Sequence, residues 1–317
     1  ARAEDLLPIE YFHVVFTLPA EIARIAYWNK KAVYGLLFRA SAQAVTTIAA
    51  DPKRLGARVG MTSMLHTWGS ALTHHPHVHM IVPGGGLSPR GNRWVACKPG
   101  FFLHVRVLSR LFRRIFLDGL MALHEAGDLA FFGDLEHLAQ AEAFAEWLAP
   151  FRKSEWVVYA KPPFGRPEHV IEYLGRYTHK IAISNHRIVY IDKDKREVTF
   201  GLKDYRKGGQ KTIMTLTSTE FIRRFQLHIL PKGFTRIRHY GFLSSSWKKD
   251  KLPLLQLQLA EKDLLHIEPL LIQEKSLHRV CPNCKKGELI TLLTFGSRGP
   301  PKNYQKIIKR KLLKFIA

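Results

Sequence analysis

The stretch that decides the fold is His74-His75-Pro76-His77-Val78-His79-Met80-Ile81-Val82-Pro83, in which a histidine cluster runs directly into apolar residues. Alternate residues of a β-strand face the same side. A strand over residues 77–82 therefore turns His77 and His79 to one face and buries Val78 on the other. Neutral imidazole is a good ligand for divalent metals, so this pair makes half of a metal site. A surface histidine cluster is the alternative, but such a cluster does not usually continue into a buried strand.

A third ligand is expected from a neighbouring strand. His66 is the candidate, because residues 57–67 predict a strand that pairs antiparallel with the histidine strand. The alternative is that His66 only packs against Trp68. We expect Pro76 to bend the chain, and so to keep His75 out of line with His77 and His79.

The order of elements predicts an α+β protein with an antiparallel sheet, because strands cluster early and late with helices between them. Predicted strands cover residues 11–18, 57–67, 77–82, 155–160, 187–192, 196–202 and 212–217. Predicted helices cover residues 20–50 (two helices meeting near Asn29), 102–125, 134–150, 167–178 and 218–227. We expect a catalytic domain over residues 1–205 with a helical insertion at 101–152, a basic DNA-binding continuation at 206–260, and a tail at 261–317.

The charge of the chain points to a polyanionic partner. Forty-nine Lys and Arg residues against 26 acids give a formal net charge of +23. Nucleic acid is the commonest partner for a folded chain of this kind. No apolar run approaches the ~18 residues of a membrane span, so no membrane partner is expected. Three cysteines cannot form a disulfide framework, and no targeting signal is visible, so the cytoplasm is the expected location.

Two tyrosines, Tyr173 and Tyr177, lie four residues apart in a predicted helix, which puts both phenols on one face. Arg176 and Lys180 place positive charge beside them, as a phosphate site needs. Core packing of the two rings is the alternative. A phenol with the reference pKa of ~10 is a poor nucleophile at neutral pH. A nearby divalent metal, however, stabilises the charge that develops when a phenolate attacks phosphorus. Two tyrosines permit two covalent attachments in succession, which suits strand transfer better than hydrolysis.

Several stretches outside these motifs carry a resemblance to a known family. They are YFHVVFTLP at 11–19, LHTWG at 65–69, HPHVH at 75–79, GGGL at 84–87, YLGRYTH at 173–179, FIRRF at 221–225, LPKGF at 230–234 and RIRHYG at 236–241. In these stretches and their order the chain resembles the two-tyrosine HUH transposases of rolling-circle insertion sequences, the IS-ninety-one family with its common-region relatives. Members of that family usually begin with a cysteine-rich zinc-binding module, and this sequence starts where that module would end.

The resemblance implies an HUH endonuclease fold, in which an antiparallel sheet carries the histidine pair and a helix presents tyrosine across from it. It implies Mg²⁺ or Mn²⁺ as the catalytic metal, His77 and His79 as ligands, and Tyr173 and Tyr177 as nucleophiles. The third ligand stays open, because HUH enzymes use Glu, Gln, Asp or His there. Which tyrosine attacks first also stays open. Single-stranded DNA and transposon-end DNA are the implied partners, and the oligomeric state is not predicted.

Two further groups of residues are candidates for binding. Cys281 and Cys284 form a CxxC knuckle, for which His278 offers a third zinc ligand. The alternatives are a degenerate ribbon or a knuckle that the family's N-terminal module completes. A basic cluster interleaved with aromatic residues suits single-stranded DNA, although charged runs are often only solvated faces. Its members are Arg223, Arg224, Lys232, Arg236 and Arg238.

Three functions fit these features. The leading one is a transposase that nicks and rejoins single-stranded DNA through a 5′-phosphotyrosine intermediate. A replication initiator or relaxase shares that chemistry. A non-enzymatic DNA-binding protein, in which the histidines and the CxxC hold structural zinc, belongs to a different class.

Overall fold

The computed structural model describes residues 6–91, 93–161, 164, 169–170, 173, 175, 182–204, 208–265, 279–280 and 288–289. The chain divides into two compact units, Ala1–Leu264 and Leu265–Ala317. In the second unit the described residues form a short antiparallel pair, β11 (Arg279–Val280) with β12 (Glu288–Leu289).

The first unit is built around a five-stranded antiparallel sheet. Its strands are β1 (Tyr11–Thr17), β2 (Met61–Trp68), β3 (His74–Pro83), β6 (Val158–Lys161) and β10 (Ile237–Tyr240). They lie in the order β10-β2-β3-β1-β6, so the histidine strand occupies the centre. Each neighbouring pair is antiparallel. The predicted α+β class with a central antiparallel sheet is confirmed. The residues of β10 lie far along the chain, beside Met61–Met64 of β2.

One face of this sheet is covered by helices. They are α1 (Ala20–Trp28), α2 (Lys30–Ala50), α3 (Val105–Glu125) and α4 (Ala141–Lys153). The side chains of Val14, Phe16, Val78 and Met80 point into this layer and are fully buried with residues of α2 and α3. Because side chains alternate along a strand, their neighbours in sequence must lie on the opposite face. That opposite face carries the candidate site.

The helical insertion differs from its prediction in one respect. A single helix was expected over residues 134–150, but the chain forms a 3₁₀ turn at Gly133–Ala139 and then begins α4 at Ala141. Gln140 between them is extended, with φ −78° and ψ 131°. The break lets Leu135 and Leu138 of the turn join the buried cluster independently of Phe144 and Leu148 in α4.

The remaining described elements lie outside this sheet and its layer of helices. A three-stranded antiparallel sheet has the order β7 (Ile188–Asp192), β8 (Glu197–Asp204) and β9 (Gln210–Thr217). The helices α5 (Ser218–Gln226) and α6 (Ser245–Leu265) and the small pair β4 (Gly85–Leu87) and β5 (Trp94–Ala96) complete the unit. Among the described residues, no helix combines the length and the apolar character needed to cross a bilayer.

Candidate active site

Strand pairing brings three histidines together on the face away from the helices. His66 of β2 lies directly opposite His77 of β3, and Met64 lies opposite His79. Cross-strand partners share a face of the sheet, so His66 joins the pair that alternation puts on one side of β3. Val78, between the two histidines, is fully buried on the helix side.

The prediction that Pro76 bends the chain is wrong. Residues His74 to Pro83 form one strand, and Pro76 lies inside it. The pairing of β3 with β2 shifts register between His66 and Trp68, opposite this segment. Proline is accommodated at such irregularities because it has no N–H for the ladder. His75 therefore stays in line with His77 and His79, and its ring centroid lies 5.2 Å from that of His77.

His66, His77 and His79 form a histidine triad, in which one nitrogen from each ring lies within 4.8 Å of the other two. Metal–imidazole bonds are about 2.0–2.1 Å long for zinc, so a single ion reaches all three after small ring movements. Burial lowers the pKa of His77 to about 4 and that of His66 well below its ordinary value. Burial and the neighbouring His66 also lower the pKa of His79. All three rings are thus neutral at pH 7, with lone pairs available for a metal.

The donor set narrows the choice of metal. Imidazole nitrogen suits first-row transition ions, whereas Mg²⁺ prefers carboxylate, carbonyl and water oxygens. The three residues therefore fit a divalent transition ion better than Mg²⁺. They form the only group of His, Cys, Asp or Glu with metal-ligand spacing found in the described part of the chain.

Tyr173 reaches this cluster from a distant segment. Its phenol oxygen lies 2.8 Å from Nδ1 of His79 and 3.0 Å from Nε2 of His13. Tyr173 and the described residues beside it, Val170 and Gly175, are helical, as predicted for this segment. Val170 is buried in the apolar cluster against which Tyr173 packs. Tyr177, Arg176 and Lys180 lie outside the described residues, so the predictions for them stay predictions.

Two residues of this face were missed in the sequence. His13 lies opposite Ile81 in the pairing of β1 with β3, and its Nε2 is 2.7 Å from Nδ1 of His79. Lys161 of β6 lies opposite His13 and so adds a cation to the same face. Burial and then the charge of Lys161 lower the pKa of His13 to about 4. Alternation within the strand 11–18 was visible in the sequence, but the register that brings His13 to the face with His66, His77 and His79 was not.

The predicted DNA-binding arginines have diverse surroundings. Arg236 stacks over Trp68 at 4.9 Å, and its charge helps to lower the pKa of His66 after burial and the effect of His77. Arg223 and Arg224 both bind Glu220, each with a closest contact of 2.6 Å. Their charge is therefore partly compensated within α5.

The two other predicted basic residues, Arg238 and Lys232, have surroundings of a different kind. Arg238 lies over the rings of Phe38 and Phe234, on the helix side of the sheet. Lys232 is exposed in the turn before Phe234. DNA binding by these residues remains a prediction, as does zinc binding by Cys281, Cys284 and His278, which lie outside the described residues.

Known proteins resemble this chain over most of its length. A relative from Sinorhizobium fredii (strain NBRC 101917 / NGR234), "Putative transposase y4qJ", is 53% identical in an alignment 312 residues long, which covers 95% of this chain and 78% of the relative. The "Transposase for insertion sequence element IS801" of Pseudomonas savastanoi pv. phaseolicola is 29% identical over 233 residues. That alignment covers 74% of this chain and 54% of the relative, so the chain spans about half of the second relative's length.

Among solved structures, the relaxase TrwC in complex with a 27-mer DNA aligns with 78% of this chain and 72% of its own, at 11% identity and a TM-score of 0.27. That score is too low to bear on fold or function. The family described as "Putative transposase" matches residues 60–251, well over half of the chain and including the histidine strand and Tyr173. The chain belongs to this transposase family, as the resemblance in its sequence implied.

Proposed function

We propose that this chain cuts and rejoins single-stranded DNA during rolling-circle-type transposition, with Tyr173 as a nucleophile beside a divalent metal held by His66, His77 and His79. The observation that carries the proposal is the 2.8 Å distance between the phenol oxygen of Tyr173 and Nδ1 of His79. A nucleophile from one segment and a metal ligand from another thus meet at one point. This convergence is what a metal-assisted transesterification requires.

The covalent step is a displacement at phosphorus. The phenol oxygen of Tyr173 attacks a backbone phosphorus, the bond from that phosphorus to the 3′ oxygen breaks, and a 5′-phosphotyrosine forms. The departing 3′ oxygen takes up a proton from water and becomes a hydroxyl. A divalent cation at the triad would polarise a phosphoryl oxygen and offset the charge that develops at phosphorus. Because the new ester retains the bond energy, the same or another 3′ hydroxyl can reverse the step.

His13 is the group that we expect to accept the phenol proton. An imidazole that gives Nε2 to a metal carries its own proton on Nδ1. If His79 binds through Nε2, its Nδ1–H donates toward the phenol oxygen of Tyr173. The lone pair of His13 Nε2, 3.0 Å from the phenol oxygen, is then the acceptor that remains for the phenol O–H. The low pKa of His13 keeps this nitrogen unprotonated at pH 7.

Lys161 supplies positive charge for the DNA backbone on this face. It lies opposite His13 in the β1–β6 pairing, and its side chain is exposed. A lysine ammonium is a compact cation that binds phosphate as a point charge. We assign it to the phosphate that Tyr173 attacks or to the adjacent one.

A non-enzymatic zinc protein fits these residues less well. Structural zinc sites usually have four protein ligands, whereas three histidines cluster within the described ranges. A structural site also has no use for a phenol in contact with a ligand ring. A replication initiator or relaxase would share the chemistry, but the family of this chain consists of transposases.

The test is trapping of a covalent protein–DNA adduct. Labelled single strands covering both ends of the encoding element are incubated with the full chain and Mn²⁺ and then run on a denaturing gel. We expect an SDS-resistant adduct with the wild type, and none when Tyr173→Phe is combined with Tyr177→Phe. Binding of DNA without cleavage should persist in that double variant. An adduct of unchanged yield in the double variant would remove the tyrosines from the mechanism.

A further inference from the structure

An exposed aromatic cluster lies at the end of α1, outside the catalytic residues. Trp28 and Phe132 are 50% and 48% exposed. Their ring centroids are 4.8 Å apart, and Tyr27 lies edge-on to Trp28 at 4.9 Å. Large apolar side chains grouped at a surface usually mark a binding site rather than a solvated face.

Three cations line a pocket next to this cluster. The pocket beside it, about 770 Å³ in volume, is lined by Lys30, Lys31 and Arg39, with Asp128 as the only carboxylate in its lining. The Nζ of Lys30 lies 5.4 Å above the ring of Tyr27 and donates to the carbonyl of Ile229 at 2.9 Å. A ligand with flat apolar rings and negative charge matches this composition.

The cluster is preformed. The buried side chain of Asn29 donates to the carbonyl of Ala130 at 2.8 Å and accepts from its N–H at 2.7 Å. These two bonds hold the segment that carries Phe132 against the junction of α1 and α2. Ring surfaces fixed in this way can bind a partner without ordering a loop first.

The cluster is also connected to the histidine strand. The ring of Tyr27 lies 6.0 Å from that of His74, at the start of β3. His74 and His77 are separated by about 10 Å along the strand, at a rise of about 3.3 Å per residue. His74 also lies 2.7 Å, through Nε2, from the phenol oxygen of Tyr34 in α2, so it faces the helix side at the end of β3. A strand of DNA that leaves the triad and passes around this end of β3 therefore meets the aromatic surface next.

We propose that Trp28 and Phe132 form a stacking platform for unpaired bases of the DNA strand that Tyr173 cuts, with Lys30, Lys31 and Arg39 contacting its phosphates. Stacked aromatic rings next to cations are the means by which proteins hold single strands without reading sequence. In a duplex the base faces are already stacked on one another, so the platform selects single strands. This assignment of a subsite rests on the proposed function.

The test compares the affinities of the full chain for a labelled oligothymidine strand and for a duplex of the same length, by fluorescence anisotropy. Removing one stacking ring typically weakens single-strand binding by about 5- to 100-fold. We expect losses in this range for Trp28→Ala and Phe132→Ala, with much smaller losses for the duplex. Trp28→Phe should retain most of the affinity, because a phenyl ring still stacks. The matched control is Trp247→Ala, since Trp247 on α6 is 39% exposed and lies outside the cluster; it should leave both affinities unchanged.

The outcomes separate this inference from the proposed function. Trp28→Ala should need a higher DNA concentration than the wild type to form the covalent adduct, whereas the control Trp247→Ala should need the same concentration as the wild type. Unchanged single-strand affinity in Trp28→Ala would overturn the platform even if the adduct forms. Equal losses for single strand and duplex would also overturn it, as would a loss of self-association, measured by sedimentation, without a loss of DNA affinity. If the wild type forms no adduct but Trp28→Ala loses single-strand affinity selectively, the platform stands and the proposed function fails.

Discussion

The phenol oxygen of Tyr173 lies 2.8 Å from Nδ1 of His79, although 94 residues separate them in sequence. His13 completes this arrangement, since its Nε2 is within 3.0 Å of both atoms and its ring stacks on that of His79 at 4.9 Å. Three segments of the chain therefore meet at the phenol. Each makes a separate contribution that can be removed by mutation.

Removal of the imidazole at position 13 should slow attack by the phenol without abolishing metal binding. General-base assistance typically contributes about 10²- to 10⁴-fold, so the single-turnover rate of adduct formation in His13→Ala should fall within that range at saturating DNA. His13→Gln should recover part of the loss by accepting the phenol hydrogen bond. The DNA dissociation constant should change little in both variants. A wild-type rate in His13→Ala would show that the phenol proton goes elsewhere.

Mn²⁺ should stabilise the folded chain through the triad. A ligand that binds only the folded state adds about 2.7 kcal/mol at a concentration a hundred times its Kd. The unfolding temperature should therefore rise when Mn²⁺ is added to the wild type. It should also rise for His75→Ala, which removes a neighbouring histidine of the same strand that is not part of the triad. The shift should disappear in His66→Ala and His77→Ala. Equal shifts in all four proteins would place the metal outside the triad, and a stronger response to Mg²⁺ than to Mn²⁺ would contradict the choice of ion.

Buried histidines should make the metal-free protein less stable in acid. Burial lowers the pKa of His228 to about 4, and its hydrogen bonds to Thr67 and Leu72 only partly oppose this. As pH falls from about 6.5 to about 4, the unfolded chain takes up a proton that the folded chain does not, so the free energy of unfolding decreases. The expected slope is at most about 1.4 kcal/mol per pH unit for each such group.

Urea denaturation at about pH 7, 6 and 5 measures this slope. His228→Asn should show a shallower dependence than the wild type, because one of the groups that resist protonation is gone. Comparing slopes rather than absolute stabilities separates this effect from any loss of packing. Identical slopes in the two proteins would rule out the contribution of His228.

The turn that follows β10 requires glycine at position 241. Gly241 has φ +60°, and a Cβ there would overlap the carbonyl oxygen of Val59. Gly233 has φ +74°, but a Cβ there would meet no atom within 4 Å. Gly233→Ala should therefore cost only the strain of a left-handed residue, about 1 kcal/mol. Gly241→Ala should cost considerably more, because backbone must move. Equal losses of unfolding free energy in the two variants would contradict this distinction.

Local patterns were enough to predict most of the fold. Alternation in residues 77–82 and four-residue spacing in α3, where Leu108, Phe112 and Phe116 are buried, report directly on burial. The break at Gln140 was missed because helical spacing continues on both sides of it. Pro76 was misread because the irregular pairing that accommodates it depends on β2, a different segment.

The site was only partly predictable for a related reason. His66 was a candidate because an antiparallel neighbour was expected, and the observed register sets it opposite His77. His13 and Lys161 needed the registers of two further strand pairs, which no local pattern contains. The pairing of Arg223 and Arg224 with Glu220, by contrast, follows from their three- and four-residue spacing in a helix and was available in the sequence.

The most direct test of the central claim is to locate the residue that becomes attached to DNA. The wild-type adduct formed with Mn²⁺ is digested with protease and nuclease, and the peptide that retains a nucleotide is sequenced by mass spectrometry. The phosphodiester should be found on Tyr173, and the adduct yield should fall to background in His77→Ala. A nucleotide attached outside the Tyr173–Tyr177 pair, or an adduct that forms equally well in His77→Ala with metal chelated, would contradict a tyrosine nucleophile assisted by the histidine triad.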